Sequence, residues 1–70
     1  MGYIGIITDI LDDGDGAMIY IDGTPRVSQD GAKLRRWLVR SFGTVENAEG
    51  QEVRYDFDFL SGALLRVSVL

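Results

Sequence analysis

The final twenty residues, 51–70, alternate between apolar and polar side chains with the period of two that is typical of β-strands. In the first half of this segment the apolar residues share one parity: Val53, Tyr55, Phe57 and Phe59. In the second half they are Ala63, Leu65, Val67 and Val69. Because successive side chains of a strand lie on opposite faces, this pattern predicts a β-hairpin with one face buried and the other in water.

The register of this hairpin follows from the requirement that both apolar sets lie on one side of the sheet. A three-residue loop, Leu60-Ser61-Gly62, meets the requirement and places Gly62 where a left-handed residue is needed. The apolar partners are then Phe57 with Leu65, Tyr55 with Val67, and Val53 with Val69. Asp56 lies opposite Arg66 on the solvent side, and we expect these two side chains to contact one another.

The composition limits the classes of protein to which the chain can belong. Seventy residues are predicted to form one domain, 1–70, with a small core. Cysteine and histidine are absent, which excludes disulfides and thiolate metal sites and removes the commonest general base. The sequence contains no nucleophile-base pair and no phosphate loop, so we expect a non-catalytic protein without a cofactor. No apolar run is long enough to cross a bilayer, and we expect a cytoplasmic protein that does not bind membranes.

A helix is predicted before the final hairpin, over residues 28–42. Its N-cap is Ser28 or Asp30, and Gly43 is its C-terminal stop. One helix face carries Leu34, Trp37, Leu38 and Ser41, and a separate stripe carries Lys33, Arg36 and Arg40. This segregation of apolar from basic positions favours a helix over a strand.

Two strands and a short third strand are predicted before the helix. The first two cover residues 3–11 and 17–21, and an aspartate- and glycine-rich turn joins them. Pro25 confines the third strand to a short or edge position, because its nitrogen cannot donate a hydrogen bond. The order β-β-β-α-β-β is that of an OB-fold, a small five-stranded antiparallel barrel. An SH3-like barrel is the alternative, and an open antiparallel sheet with one helix on its face is a third possibility.

Several short stretches near both ends of the chain, most of which contain glycine, are similar to a known protein family. They are Gly5-Ile6-Ile7, residues 13–18 and Asp22-Gly23 near the start, and residues 49–55 and 64–70 at the end. These stretches resemble the cold-shock domain, and residues 31–35 are similar to the small OB-fold initiation factor of bacterial translation. The resemblance covers about half of the chain and implies an OB-fold that binds nucleic acid.

The chain departs from the cold-shock pattern where that family stacks bases on aromatic rings. Asp15 and Ala17 occupy those positions here, so the stacking platform of the family is missing. The family match would also turn Ala17, Ile19 and Ile21 outward, although their apolar character predicts burial. Binding of nucleic acid would therefore depend on charge rather than on that platform.

The net charge is -4, and the acidic and basic residues are distributed unevenly along the chain. From Asp9 to Asp22 the chain carries five aspartates and no basic residue, whereas residues 24–44 carry five basic residues and only Asp30 as an acid. The predicted nucleic-acid-binding residues are Arg26, Lys33, Arg36, Arg40 and Tyr20. The alternative for this basic stripe is an ordinary solvated helix face.

Trp37 has two interpretations, a core anchor of the helix or an interface residue. The second belongs with an alternative function, a protein-interaction module that does not bind nucleic acid and forms a homodimer through a sheet edge or Trp37. The partner is thus predicted to be a nucleic acid or a protein. Asp12, Asp13 and Asp15 lie in a glycine-rich turn, but the ligand spacing of a calcium loop is absent, so no metal site is predicted.

Overall fold

The computed structural model describes residues 2–70. Along the chain the elements are β1 (Tyr3–Asp12), β2 (Ala17–Ile21), β3 (Thr24–Arg26), α1 (Gly31–Phe42), a 3₁₀ turn (Glu46–Ala48), β4 (Glu52–Phe57) and β5 (Leu64–Val69). The protein is therefore mainly β with one α-helix, as the sequence predicts. Neither helical segment of the described range has the length and apolar character that spanning a bilayer requires.

The five strands form one antiparallel sheet in the order β3-β2-β1-β4-β5. The edge strands β3 and β5 approach one another at a single point, an isolated parallel bridge between Ser28 and Leu64. At this point the Leu64 N–H donates to the Val27 carbonyl over 2.9 Å. No continuous ladder of hydrogen bonds joins the two edges within residues 2–70, so the predicted closed barrel is confirmed only as a five-stranded sheet.

The helix covers Gly31–Phe42, so of the two predicted N-caps Asp30 is confirmed and Ser28 is wrong, and the predicted end at Phe42 is confirmed. Asp30 is the N-cap, and its carboxylate accepts a hydrogen bond from the Lys33 N–H over 3.0 Å. At the other end Gly43 has φ of 89°, and its N–H donates to the Val39 carbonyl. The first residue of the helix packs closely against the residue before β2. A Cβ atom added to Gly16 would lie only 3.2 Å from the carbonyl carbon of Gly31.

The core lies between the sheet and α1. Its buried side chains include Ile7, Ile19, Ile21, Leu34, Leu38 and Val53. Ala17 is buried as well, so the inward parity of β2 follows its apolar pattern rather than the outward parity of the cold-shock match. The isoleucines of β1 predict a strand that is buried on both faces for part of its length, but Ile4 and Ile6 are exposed, so this prediction is wrong at these two residues.

The final hairpin has the predicted register over most of its length. Val53 pairs with Val69, Tyr55 with Val67, and Asp56 with Arg66. The prediction is wrong at the loop end, because the register shifts after Asp56 and Phe57 pairs with Leu64 rather than with Leu65. Asp56 and Arg66 lie opposite one another but form no ion pair in the described part of the chain, where Arg35 with Asp12 is the only one.

The cause of the register shift is a longer loop than the predicted three residues. The Asp58 N–H donates to the Ala63 carbonyl, so four residues, 59–62, form the turn, and Gly62 has φ of 76°. The extra residue is absorbed as a bulge at Leu65, which is 60% exposed, while Leu64 turns inward at 5%. Phe59 lies in the turn and is 82% exposed, so its predicted place in the core is wrong.

Candidate functional site

A cleft of about 330 Å³ lies between α1 and the first half of β5. We call it the α1–β5 cleft. Its basic side chains are Lys33 and Arg40 from the helix and Arg66 from the strand. Asp30 is the only carboxylate that lines it, and Trp37 forms part of its wall. An indole and three cations therefore surround one concave surface.

Helix geometry accounts for the convergence of Lys33, Trp37 and Arg40. These residues are separated by four and three positions, so they lie on one side of α1 at successive turns. The neighbouring side of the helix carries Leu34 and Leu38, which are buried and fix its rotation about its own axis. As a result Lys33, Trp37 and Arg40 are held at the border between core and solvent, facing β5.

Trp37 lies partly in the core, as one of its two interpretations predicts, and the interface role stays a prediction. It is half-buried and packs against the core, and its ring meets Phe42 edge-to-face at 5.6 Å with an interplanar angle of 89°. The rest of its surface lines the α1–β5 cleft. An indole fixed in this way can contact a ligand without losing further conformational freedom.

The structure brings together only part of the predicted nucleic-acid-binding set. Lys33 and Arg40 line the cleft, but Arg36 is exposed on α1 outside it. Arg26 lies elsewhere, with its guanidinium over the Phe57 ring at 3.9 Å from the centroid. Tyr20 is half-buried on β2, where its register partners are Asp9 and Pro25, and it does not line the cleft.

Arg66 is the cleft residue that sequence reasoning missed. The hairpin register predicted it on the solvent face opposite Asp56, and that register is correct. The hairpin register does not predict that β5 lies at the edge of the sheet beside α1. The edge position adds a second feature to the cleft, because β5 has no strand partner on its outer side beyond the Leu64 bridge in residues 2–70.

The acidic and basic segments of the sequence meet at one ion pair, where Arg35 Nε donates to Asp12 Oδ1 over 2.8 Å. Arg35 lies on the side of α1 away from the cleft, so the acidic β1–β2 turn is held away from Lys33 and Arg40. The carboxylate of Asp13 is also occupied, since it accepts hydrogen bonds from the Asp15 and Gly16 N–H groups. Within the described range no group of three or more potential metal ligands is found.

Acid is expected to weaken the fold through Asp12. Its pKa lies below the ordinary 3.8, chiefly because the Gly14 N–H donates to its carboxylate and secondly because Arg35 does. A carboxyl with a lower pKa in the folded chain stabilises the fold above its ordinary pKa, and this contribution is lost as pH falls through the folded value. The melting temperatures of wild type and Asp12→Asn should therefore converge as pH falls below 3.8.

Thermal melts followed by circular dichroism from neutral pH to about pH 2 measure this convergence. Asp15→Asn is the matched control, because the Asp15 carboxylate accepts no hydrogen bond from the described residues. A constant difference between wild type and Asp12→Asn across the whole range would contradict the prediction.

Comparison with protein-family models, with curated proteins and with solved structures found no match for this chain.

Proposed function

We propose that this protein is a small non-catalytic binding module with an OB-like barrel, and that its α1–β5 cleft binds single-stranded nucleic acid through charge. The Ser28–Leu64 bridge supports the barrel, because it brings the end of β3 beside β5 in parallel orientation. A twelve-residue helix between the third and fourth strands also fits an OB-like barrel better than an SH3-like one.

The observation that carries the function is the convergence of Lys33, Arg40 and Arg66 around Trp37. Single-stranded nucleic acid presents a flexible row of phosphates together with exposed base faces. Cations on both walls of the cleft can contact successive phosphates, and the indole can contact a base or sugar. None of the three cations has an ion-pair partner in residues 2–70, so binding does not first have to break one.

The negative net charge does not oppose this function as strongly as its value suggests. Exposed charges farther apart than about 8 to 10 Å are largely screened at physiological salt, so the local charge at the cleft decides. The acidic β1–β2 turn is tied to the opposite side of α1 through Asp12 and Arg35. Repulsion from the net charge of -4 should nevertheless keep the affinity below that of a basic protein with the same contacts, which makes this a weak binder.

Salt dependence is the direct test of the proposed function. Three phosphate contacts on a single strand should give a slope of log K against log salt concentration of about -2, since each contact contributes about -0.7. Fluorescence anisotropy of a labelled single-stranded oligonucleotide, titrated with protein at several salt concentrations, measures this slope. Lys33→Gln should reduce its magnitude by about 0.7, because one contact is removed. The absence of binding at tens of micromolar protein in low salt would overturn the proposal.

A protein-interaction module is the second candidate, and the free edge of β5 favours it. This strand has six residues, lacks proline, and exposes Leu65 and Val69, whereas the other edge strand, β3, is three residues long and contains Pro25. Unprotected edges of this kind can pair with a strand of another chain, including a second copy. Light scattering that shows a strict monomer at high concentration would exclude the homodimer.

A further inference from the structure

A second group of aromatic residues lies at the end of the sheet where the β4–β5 loop begins. We call Tyr3, Tyr55, Phe57 and Phe59 the aromatic row. Their ring centroids are 5.8 Å apart for Tyr3 and Tyr55, 5.1 Å for Tyr3 and Phe57, and 5.3 Å for Phe57 and Phe59. Strand pairing explains the row, because Tyr3 is the register partner of Tyr55 and Phe57 ends the same strand. It is continuous from the buried Tyr55 to the exposed Phe59.

Arg26, the last residue of β3, covers the middle of the aromatic row. Its guanidinium carbon lies 3.9 Å from the Phe57 centroid and 5.9 Å from that of Tyr55, within the range of cation–π attraction. Arg26 forms no ion pair inside residues 2–70, and its buried Nε has no hydrogen-bond partner there. A cation is thus held over aromatic rings, and no carboxylate of the described residues pairs with it.

Phe59 is the accessible end of the row. It is held in the turn by Asp58, whose side chain accepts a hydrogen bond from the Leu60 N–H and whose carbonyl accepts one from the Gly62 N–H. Its ring meets that of Phe57 edge-to-face, at an interplanar angle of 67°. Phe59 is 82% exposed and is the next ring in the row after Phe57, which the unneutralised arginine covers, so it matches the requirements of a stacking platform.

The aromatic row is connected to the α1–β5 cleft through the Ser28–Leu64 bridge. Ser28 and Leu64 both line the cleft, while Leu64 is the register partner of Phe57 and Arg26 precedes Ser28 by two residues. Val27 and Leu65 expose apolar surface at the same crossing. A chain that leaves the cleft over the bridge therefore reaches Arg26 and Phe59 next.

We propose that Phe59 and Arg26 form a base-stacking site for the same single strand whose phosphates bind in the cleft. This inference rests on the proposed function and adds to it a contact with the bases. The site is not at the positions of the cold-shock motif, which are Asp15 and Ala17 in this chain. Phe59 stacks on an unpaired base, and the Arg26 guanidinium donates to its edge or to the adjoining phosphate.

The test uses two labelled probes, a thymidine dodecamer and an abasic dodecamer with the same backbone. Phe59→Ala should weaken binding of the thymidine probe about 5- to 150-fold, the range for loss of one stacked base, and leave the abasic probe unchanged. Phe59→Trp should retain the affinity, because the indole also stacks. Leu60→Ala is the matched control in the same loop, since Leu60 is 98% exposed and carries no ring.

The outcomes separate this inference from the proposed function. Equal affinities of wild type for the two probes, with no effect of Phe59→Ala, would overturn the stacking site and leave the cleft proposal standing. Failure of wild type to bind either probe would overturn the proposed function, and the stacking site with it. Circular dichroism melts of every variant show whether a loss of affinity reflects unfolding, and Phe59→Trp keeps the test valid if Phe59→Ala does not fold.

Discussion

Leu38→Ala is expected to lower the free energy of unfolding by about 2 to 5 kcal/mol, the range for removing a large aliphatic side chain from a core. Leu38 is fully buried between α1 and the sheet, so the truncation leaves a cavity that no surface side chain can fill. A domain of about seventy residues has a net stability of only about 3 to 5 kcal/mol. We therefore expect the variant to be largely unfolded at room temperature.

Val39→Ala is the matched control, because Val39 is the next residue of the same helix and is 36% exposed. It removes fewer side-chain carbons than Leu38→Ala does, from a site that already contacts water, so the cost should stay below about 1 kcal/mol. Urea titrations followed by Trp37 fluorescence and by circular dichroism measure both variants. A Leu38→Ala variant as stable as Val39→Ala would show that α1 does not pack on the sheet through Leu38.

The parts of the fold that the sequence predicts well are those fixed by local physics. The β4–β5 register from Val53 to Asp56 follows from parity alone, because a slip of one residue would expose the whole apolar set. The end of α1 at Gly43 follows from the need for a left-handed residue at that point. In both cases the residue type decides the conformation without reference to the rest of the molecule.

The loop that joins β4 to β5 shows where this local reasoning ends. A three-residue loop and a four-residue loop can both give the observed pairing of Val53, Tyr55 and Asp56 with β5, provided that the longer loop is followed by a bulge. The choice depends on the contact of β5 with residues 27–28, since the Leu64 N–H donates to Val27 and its side chain enters the core. Strand parity carries no information on that contact, and so Phe59 was wrongly predicted as a core residue.

The α1–β5 cleft could be predicted only in part for a similar reason. Lys33 and Arg40 follow from helical spacing, and the structure places both on the cleft. Arg66 comes from a distant part of the sequence, and Arg26 lies outside the cleft with its guanidinium over the Phe57 ring. Both outcomes depend on which strands become sheet edges, a property of the whole sheet rather than of any segment.

Reversing two charges in the α1–β5 cleft is expected to have the largest effect on binding. Lys33→Glu with Arg40→Glu removes two phosphate contacts, and at low salt each contact contributes about tenfold to affinity. The affinity for single-stranded nucleic acid should therefore fall about 100-fold or more, because the new carboxylates also repel the phosphates. Both side chains are exposed and form no ion pair with the described residues, so the fold should be retained.

Arg54→Glu, compared with the single variant Arg40→Glu, is the control that separates a local from a global charge effect. Both variants change the net charge by the same amount, but Arg54 is exposed on β4 and lies outside the cleft. Since long-range repulsion is screened within about 10 Å at moderate salt, Arg54→Glu should lose much less affinity there than Arg40→Glu. Anisotropy titrations of both variants at two salt concentrations make the comparison. An equal loss in the two would mean that net charge alone governs binding, and the cleft would then not be the site.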